Sequence, residues 1–235
     1  MNSSAITTLH HTSHTAIIDA TVQYVKQELA EAEGGHDWWH IHRVWQSARQ
    51  IARHEEVNPL IVELGALLHD IADSKFHDGD EEIGPAKAAA FLRSLQVGED
   101  IIVPVTQIIR HISFKGGNEA RTYWSAELAV VQDADRLDAL GAVGIARAFN
   151  YGGFRNRALY DPAIAPDMHM TKEAYKTSAS PTINHFYEKL LLLKDRMNTA
   201  TGKALAEERH VFMERYLEQF YREWNGQQDG MNDFT

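Results

Sequence analysis

The chain of 235 residues contains no cysteine. This absence excludes disulfide bonds, cysteine-ligated zinc, iron–sulfur clusters and thiol nucleophiles. Basic residues are also few: 23 Lys plus Arg stand against 33 Asp plus Glu, which gives a formal net charge of −10. Because surfaces that bind duplex nucleic acid are basic, we expect no duplex DNA or RNA partner.

Long apolar runs are missing as well. No stretch approaches the roughly 20 apolar residues of a membrane-spanning helix, and the N-terminus lacks the basic start and apolar centre of a secretion signal. We therefore expect no membrane partner and a cytoplasmic location. The length is sufficient for a core of its own, and we expect one domain over residues 1–235.

Apolar residues recur at helical spacing along most of the chain, and strand-like alternation is scarce, so an all-α fold is expected. Two helix starts are predicted from capping residues, one at Asp37 and one at Asn58 with Pro59 behind it. The second start opens an almost wholly apolar helix, which is expected to be central and to end around Asp73. Further helices are predicted over residues 81–95, 101–111, 125–140 and 185–194. A long C-terminal helix is predicted from the stripe Met213, Tyr216, Leu217, Phe220, Tyr221 and Trp224.

Helical periodicity fails between residues 150 and 182, where glycines and prolines interrupt the pattern. An irregular segment of that length is usually functional or disordered. We interpret it as a substrate-binding or lid segment, with C-terminal helices following over residues 183–226. The tail after Gly226 and the early histidines His10, His11 and His14 are expected to be disordered.

His69 and Asp70 lie inside the apolar central segment, where an unpaired ionised carboxylate would be costly. His40, on the inward face of its helix, and Asp135 could converge with them. Two imidazoles and two carboxylates suit a divalent ion such as manganese, iron, cobalt, nickel or zinc. With positions left for water and a phosphate oxygen, such an ion supports hydrolysis of a phosphoester or phosphoanhydride.

Simpler interpretations stay open at this point. A buried histidine–aspartate pair can be a hydrogen-bonded couple within the core. Asp133 competes with Asp135 as the fourth ligand, and His36 lies at the i, i+4 spacing from His40 that a zinc site on one helix uses. Asp138, which follows Asp135 by one helical turn, is expected to pair with Arg136 or another neighbour.

The ordered set His40, His69-Asp70 and Asp135 resembles the signature of the HD-domain metal-dependent phosphohydrolases. It stands in the settings HDWWHIHRV, LLHDIAD and DADRL, and the similarity covers about residues 20–150. Segments 110–115 and 202–210 are similar to a small bacterial subgroup associated with nucleotide hydrolysis and pyrophosphate release. The resemblance implies an HD-type helical bundle with an extended C-terminal helix. It also implies one divalent ion, with manganese as first choice and magnesium among the alternatives, and it favours Asp135 over Asp133.

Further roles are hypotheses that follow from position and from the resemblance. Asp73, one turn after Asp70, is a candidate to orient or deprotonate the attacking water, and Lys75 is placed beside it as a second catalytic residue. His111 and Lys115 are candidates for contact with phosphate oxygens. In the irregular segment, basic residues are candidates to close over a polyphosphate: Arg155, Arg157, Lys172 and Lys176.

The expected function is cleavage of a small phosphorylated substrate, a nucleoside triphosphate, into the monophosphate and pyrophosphate. Alternatives are a phosphomonoesterase acting on nucleoside monophosphates and a hydrolase of a signalling nucleotide. A third alternative, from another class, is a nucleotide-sensing module that binds its ligand without turning it over. Association of several copies through the aromatic C-terminal helix is compatible with each of them.

Overall fold

The structure is a computed structural model that describes residues 13–30, 37–72, 82–112, 123–168 and 180–227. Across these ranges the chain is helical and contains no strand, which confirms the all-α prediction. None of the helices in these ranges combines the length and the apolar character needed to cross a membrane. The α-helices in chain order are α1 (His14–Glu28), α2 (Trp38–Ala52), α3 (Pro59–Leu68), α4 (Ile83–Ser94), α5 (Glu99–His111), α6 (Ala126–Leu137), α7 (Gly141–Phe154), α8 (Thr182–Glu188) and α9 (Ala200–Trp224).

Helix α3 lies at the centre of the fold. Seven of its ten residues are buried, so the helix is covered on all sides, as expected for an almost wholly apolar segment. It contacts α1, α2, α5 and α6, while α4 packs on α5 and α9 packs on α6 and α7. The buried side chains of these helices form one contiguous cluster.

The two capping predictions are confirmed. The Asp37 carboxylate accepts a hydrogen bond from the backbone N–H of His40 at 2.9 Å, and α2 begins at the next residue, Trp38. The Asn58 side chain accepts from the N–H of Leu60 at 3.0 Å, with Pro59 at the first position of α3. The first cap fixes the start of α2, which carries His40. The second fixes the start of α3, which ends directly before His69.

The C-terminal end of α3 comes earlier than predicted. The helix ends at Leu68, and His69 and Asp70 lie in the turn that follows it. The His69 ring donates from Nδ1 to the carbonyl oxygen of Ala66 at 2.8 Å. In a continuing helix that carbonyl would accept from the N–H of Asp70, so the histidine side chain competes with the next helical hydrogen bond. The predicted end at Asp73 lies outside the described residues.

Residues 150–154 were expected to be irregular, and this prediction is wrong because α7 continues to Phe154. Gly152 is buried, and a Cβ atom placed there would collide with the hydroxyl oxygen of Thr182, the first residue of α8. The absence of a side chain at Gly152 therefore allows α7 and α8 to approach closely. Helix α8 ends at Glu188, and the predicted helix to residue 194 is replaced by two short 3-10 turns, Leu190–Leu192 and Lys194–Arg196.

The two ends of the described chain are both anchored. His14, expected to be disordered, instead begins α1, and its Nε2 lies 3.2 Å from Oε1 of Glu63 on α3. His10 and His11 lie outside the described residues. The predicted long C-terminal helix is confirmed as α9, in which Met213 and Leu217 are buried. The ring of Tyr160 packs against the aromatic stripe of α9, with its centroid 5.2 Å from that of Trp224.

The adjacent glycines of α7 provide a matched test of this packing. We expect Gly152→Ala to lower the free energy of unfolding by about 1–3 kcal/mol, because the new methyl group overpacks the contact with Thr182. No atom lies within 4 Å of a Cβ placed at Gly153, so Gly153→Ala should raise stability by about 0.5–1 kcal/mol. Urea unfolding measures both values. Equal effects of the two substitutions would contradict the proposed close contact.

Burial lowers the pKa of the His185 imidazole on α8 from 6.5 to about 4, and the charges of Lys189 and Arg157 act in the same direction. Between these pH values the unfolded chain binds a proton at this histidine and the folded chain does not, so stability falls as the pH falls. We expect the native protein to lose roughly 3 kcal/mol more than His185→Gln between pH 7 and pH 4. Urea unfolding at several pH values measures the difference, and parallel pH curves would contradict it.

Candidate metal centre

Three of the four predicted ligands come together in the structure. His40 from α2, His69 from the turn after α3 and Asp135 from α6 each offer a ligand atom, and these atoms all lie within 4.8 Å of one another. Both histidines are buried, whereas the Asp135 side chain is 40% exposed, so the group is open to solvent on the aspartate side. The His40 Nε2 and Asp135 Oδ1 atoms are 3.5 Å apart.

The hydrogen bond of His69 determines which ring nitrogen is available. Because Nδ1 donates to the Ala66 carbonyl, Nε2 of the neutral ring carries the lone pair. Among the described residues this buried Nε2 has no hydrogen-bond partner. Leaving a buried polar atom unsatisfied costs about 1–3 kcal/mol, and ligation of a metal ion would remove that cost. The donor set therefore fits a divalent ion.

The ring of His40 is oriented by a different partner, Asp138. Nδ1 of His40 lies 2.8 Å from Oδ2 of Asp138, a carboxylate acceptor that requires the ring to donate from Nδ1. In a neutral ring Nε2 then carries the lone pair, and this atom faces Asp135. Histidine ligands of metal sites are commonly oriented in this way, by a carboxylate or a carbonyl on the second nitrogen. The second nitrogen of His40 bonds to a carboxylate, and that of His69 bonds to a carbonyl.

Two arginines hold Asp138 in place. Arg43 on α2 donates from Nε to Oδ1 at 2.6 Å and from Nη2 to Oδ2 at 3.0 Å, while Arg147 on α7 donates from Nη1 to Oδ2 at 2.7 Å. Burial alone would raise the pKa of the Asp138 carboxyl. The hydrogen bonds from His40 and Arg43 and the charge of Arg147 outweigh burial and hold that pKa well below its usual range.

The other two acidic residues considered as ligands, Asp133 and Asp70, have different surroundings. Asp133 is fully buried and accepts from the backbone N–H groups of Asn198 and Thr199, at 2.8 and 2.7 Å, just before α9 begins. It also pairs with Arg136, whose Nη1 lies 3.3 Å from Oδ1 of Asp133. Asp70 is half-buried in the turn after His69 and is not a member of the three-residue group. Its role as a fourth ligand stays a prediction.

Some of the other predicted site residues lie within the described ranges. His111 ends α5, where Nδ1 donates to the Gln107 carbonyl at 2.9 Å. Its own carbonyl accepts from Gln132, one turn before Asp135 on α6. Arg155 follows α7 and is exposed. Arg157 lies with its guanidinium carbon 5.6 Å from the centroid of the Tyr151 ring, beside α7 and α8. Outside the described residues lie His36, Asp73, Lys75, Lys115, Lys172 and Lys176.

Sequence reasoning missed the unit formed by Asp138, Arg43 and Arg147. A signal was present, because Asp138 follows Ala134 by four residues and thereby continues the buried stripe of α6. A carboxylate at a buried helix position requires a charged or hydrogen-bonded partner. Asp138 has the same requirement for a partner as Asp70.

We expect Asp138→Asn to weaken binding of manganese or zinc by about 10–100-fold, because the amide no longer fixes the proton of His40 on Nδ1. Calorimetric titration of the folded variant measures the affinity. The matched control is Glu63→Gln on α3, which also turns a carboxylate bonded to a ring N–H and near an arginine into an amide. Equal metal affinity in the two variants would show that Asp138 does not position His40.

Comparison with known proteins agrees with this arrangement. A family model described as HD domain matches residues 38–140. The uncharacterised protein YpgQ of Bacillus subtilis (strain 168) is 39% identical over 204 residues, which are 86% of this chain and 91% of YpgQ. A crystal structure of an HD-superfamily hydrolase from Bacillus thuringiensis has 43% identity and a TM-score of 0.74, covering 91% of this chain and 99% of that one.

A second solved structure, Bacillus subtilis YpgQ in complex with ADP, superimposes with a TM-score of 0.70 and 34% identity over 94% of this chain and all of the other. These similarities extend well beyond the segment matched by the family model. The chain belongs to the HD-domain superfamily of metal-dependent phosphohydrolases.

Proposed function

We propose that this protein hydrolyses nucleoside triphosphates to nucleoside monophosphates and pyrophosphate. Hydrolysis rests on one observation: the buried Nε2 of His69, without a partner among the described residues, lies next to ligand atoms of His40 and Asp135. We propose these residues and Asp70 as the ligands of one divalent ion, with manganese as the first choice. When bound, such an ion lowers the pKa of water and neutralises charge that develops at phosphorus.

The nucleotide substrate class rests on the relative YpgQ, whose crystal structure contains ADP. That ligand carries a phosphoanhydride, and the two chains align over nearly their whole lengths. An acidic protein needs local positive charge to hold a polyphosphate, and we assign this task to His111, Lys115, Arg155 and Arg157. We propose Asp73 as the residue that orients or deprotonates the attacking water and Lys75 as its catalytic neighbour.

The same ADP complex is compatible with three other functions. A phosphomonoesterase or a hydrolase of a signalling nucleotide would also bind a nucleotide beside its metal ion. A nucleotide-sensing module would bind ADP without cleaving it. The products of the reaction distinguish these functions, because they differ in whether pyrophosphate, phosphate or neither is released. We place the protein in the cytoplasm, as one domain over residues 1–235.

We expect the full chain with manganese to release pyrophosphate from nucleoside triphosphates and to release little phosphate from mono- or diphosphates. The double variant His69→Ala, Asp70→Ala should lose at least about 100-fold in turnover, since removal of ligands exceeds the effect of removing their partners. A panel of nucleotides, with phosphate and pyrophosphate assayed separately, makes the measurement. Phosphate from monophosphates would replace the proposal with a nucleotidase, and binding without products would replace it with a sensor.

Two further variants test whether turnover depends on the metal centre. His54→Ala removes an exposed histidine that follows α2 and lies outside the three-residue group, so its turnover should equal that of the native chain. Asp73→Asn should lose turnover and keep the metal, which metal analysis of the purified variant checks. Loss of metal in Asp73→Asn would move this residue from catalysis to ligation.

A further inference from the structure

A groove with a basic lining lies between α2 and α7, beside the unit formed by Asp138, Arg43 and Arg147. Its volume is about 440 Å³, which is enough for a small ligand or for part of a nucleotide. The groove is lined by Arg43, Ala142, Val143, Ala146, Arg147 and Asn150. Among these lining residues of the described chain there is no carboxylate, although the protein as a whole carries a formal charge of −10.

The two arginines in this groove are fixed in position before any ligand arrives. Both donate hydrogen bonds to Asp138, whose side chain is only 3% exposed, and each arginine side chain is itself 33% exposed. The buried carboxylate thus anchors both guanidinium groups, and both arginines line the groove. A guanidinium that is already ordered loses less conformational entropy when it binds an anion.

The groove lies on a different side of His40 from the metal group. Asp138 bonds to Nδ1 of His40, whereas Nε2 of the same ring faces Asp135. Asp138 therefore stands between the two arginines and the imidazole. An anion in the groove would contact neither His69 nor Asp135, because none of the metal group lines it.

The chemistry of the lining selects the class of ligand. Planar guanidinium groups bind phosphate oxygens through paired N–H donors, and the Asn150 amide adds another donor at the same wall. The small side chains of Ala142 and Ala146 leave the floor open to a group as large as a phosphate. We propose that the groove between α2 and α7 binds a phosphate group between Arg43 and Arg147.

Charged residues outside the lining also influence how strongly the groove would bind phosphate. Asp37 and Asp138 both raise the pKa of Arg43, so both carboxylates are within electrostatic reach of it. Arg209 lies close enough to Asp138 for the two charges to interact. Its positive charge offsets part of the negative charge of the carboxylate. The affinity for phosphate therefore depends on the direct donors of the groove rather than on a large net charge.

Phosphate could reach this groove from two sources that share one chemistry: a free phosphate ion, or the distal phosphates of a nucleotide bound at the metal centre. Ala146 permits a test that leaves both arginines and Asp138 in place, because it is exposed and lines the groove. Ala146→Glu adds a carboxylate to the groove, and Ala146→Gln adds a side chain of the same size without the charge.

The experiment titrates the full chain, in the presence of magnesium, with inorganic phosphate and follows the backbone amides by NMR. We expect saturable shifts in the amides of residues 142–150 in the native chain, in Ala146→Gln and in His69→Ala, which lacks one member of the metal group. In Ala146→Glu the affinity should fall at least about tenfold, because like charges only a few ångströms apart repel. Equal affinity in the two Ala146 variants, or shifts that vanish in His69→Ala, would overturn the proposal.

The source of the phosphate follows from steady-state kinetics on the same pair of variants. A higher KM for a nucleoside triphosphate in Ala146→Glu than in Ala146→Gln assigns the groove to the distal phosphates of the substrate. An equal KM, together with weaker phosphate binding, assigns it to a free phosphate ion. If the protein hydrolyses no nucleotide, the proposed function fails, but the NMR titration still decides whether the groove binds phosphate.

Discussion

A buried carboxylate must be neutralised by its surroundings, and at Asp138 this requirement connects three helices. The carboxylate follows the end of α6, takes its donors from Arg43 on α2 and Arg147 on α7, and fixes the His40 ring by its Nδ1 atom. Removal of one partner of such a network leaves an uncompensated charge, which is far more costly than the loss of one hydrogen bond. The position of His40 therefore depends on α7 as well as on its own helix.

Helix α6 is fixed by contacts along one short stretch. Gln132 donates to the His111 carbonyl at the end of α5, and Asp133 accepts from the backbone ahead of α9. Arg136 donates to the carbonyl of Arg196 in the second 3-10 turn. Asp135 lies between these anchors and is the residue of the group that stays open to solvent. Rigid support around an exposed ligand is what a preorganised site requires.

Much of this architecture could be predicted from local sequence rules. Asp37 and Asn58 are strong capping residues, and their helices begin where the caps indicate, because capping depends on contacts only two or three residues away. The convergence of His40, His69 and Asp135 was also predicted, from inward-facing polar residues and from the family resemblance. The caps are encoded within a short segment, whereas the ligand prediction uses an ordered pattern that extends from residue 40 to residue 135.

The features that escaped prediction depend on partners distant in sequence. Gly152 looks like a helix breaker, but in the structure it is the residue that lets α7 approach Thr182 on α8. Asp138 has partners 95 and 98 residues earlier, Arg43 and His40, which no helical pattern can reveal. The early end of α3 is a local exception, in which the His69 side chain bonds to the Ala66 carbonyl three residues earlier.

The anchoring of Asp133 also bears on the size of the smallest piece of this chain that can fold. The family model ends at residue 140, yet this fully buried carboxylate takes its donors from Asn198 and Thr199. Gly202, in the first turn of α9, approaches Asp133 so closely that a Cβ atom would have no room. A fragment limited to the family segment would expose an acid whose partners had been removed. In this chain the end of the family model and the end of the packed unit around Asp133 are therefore different.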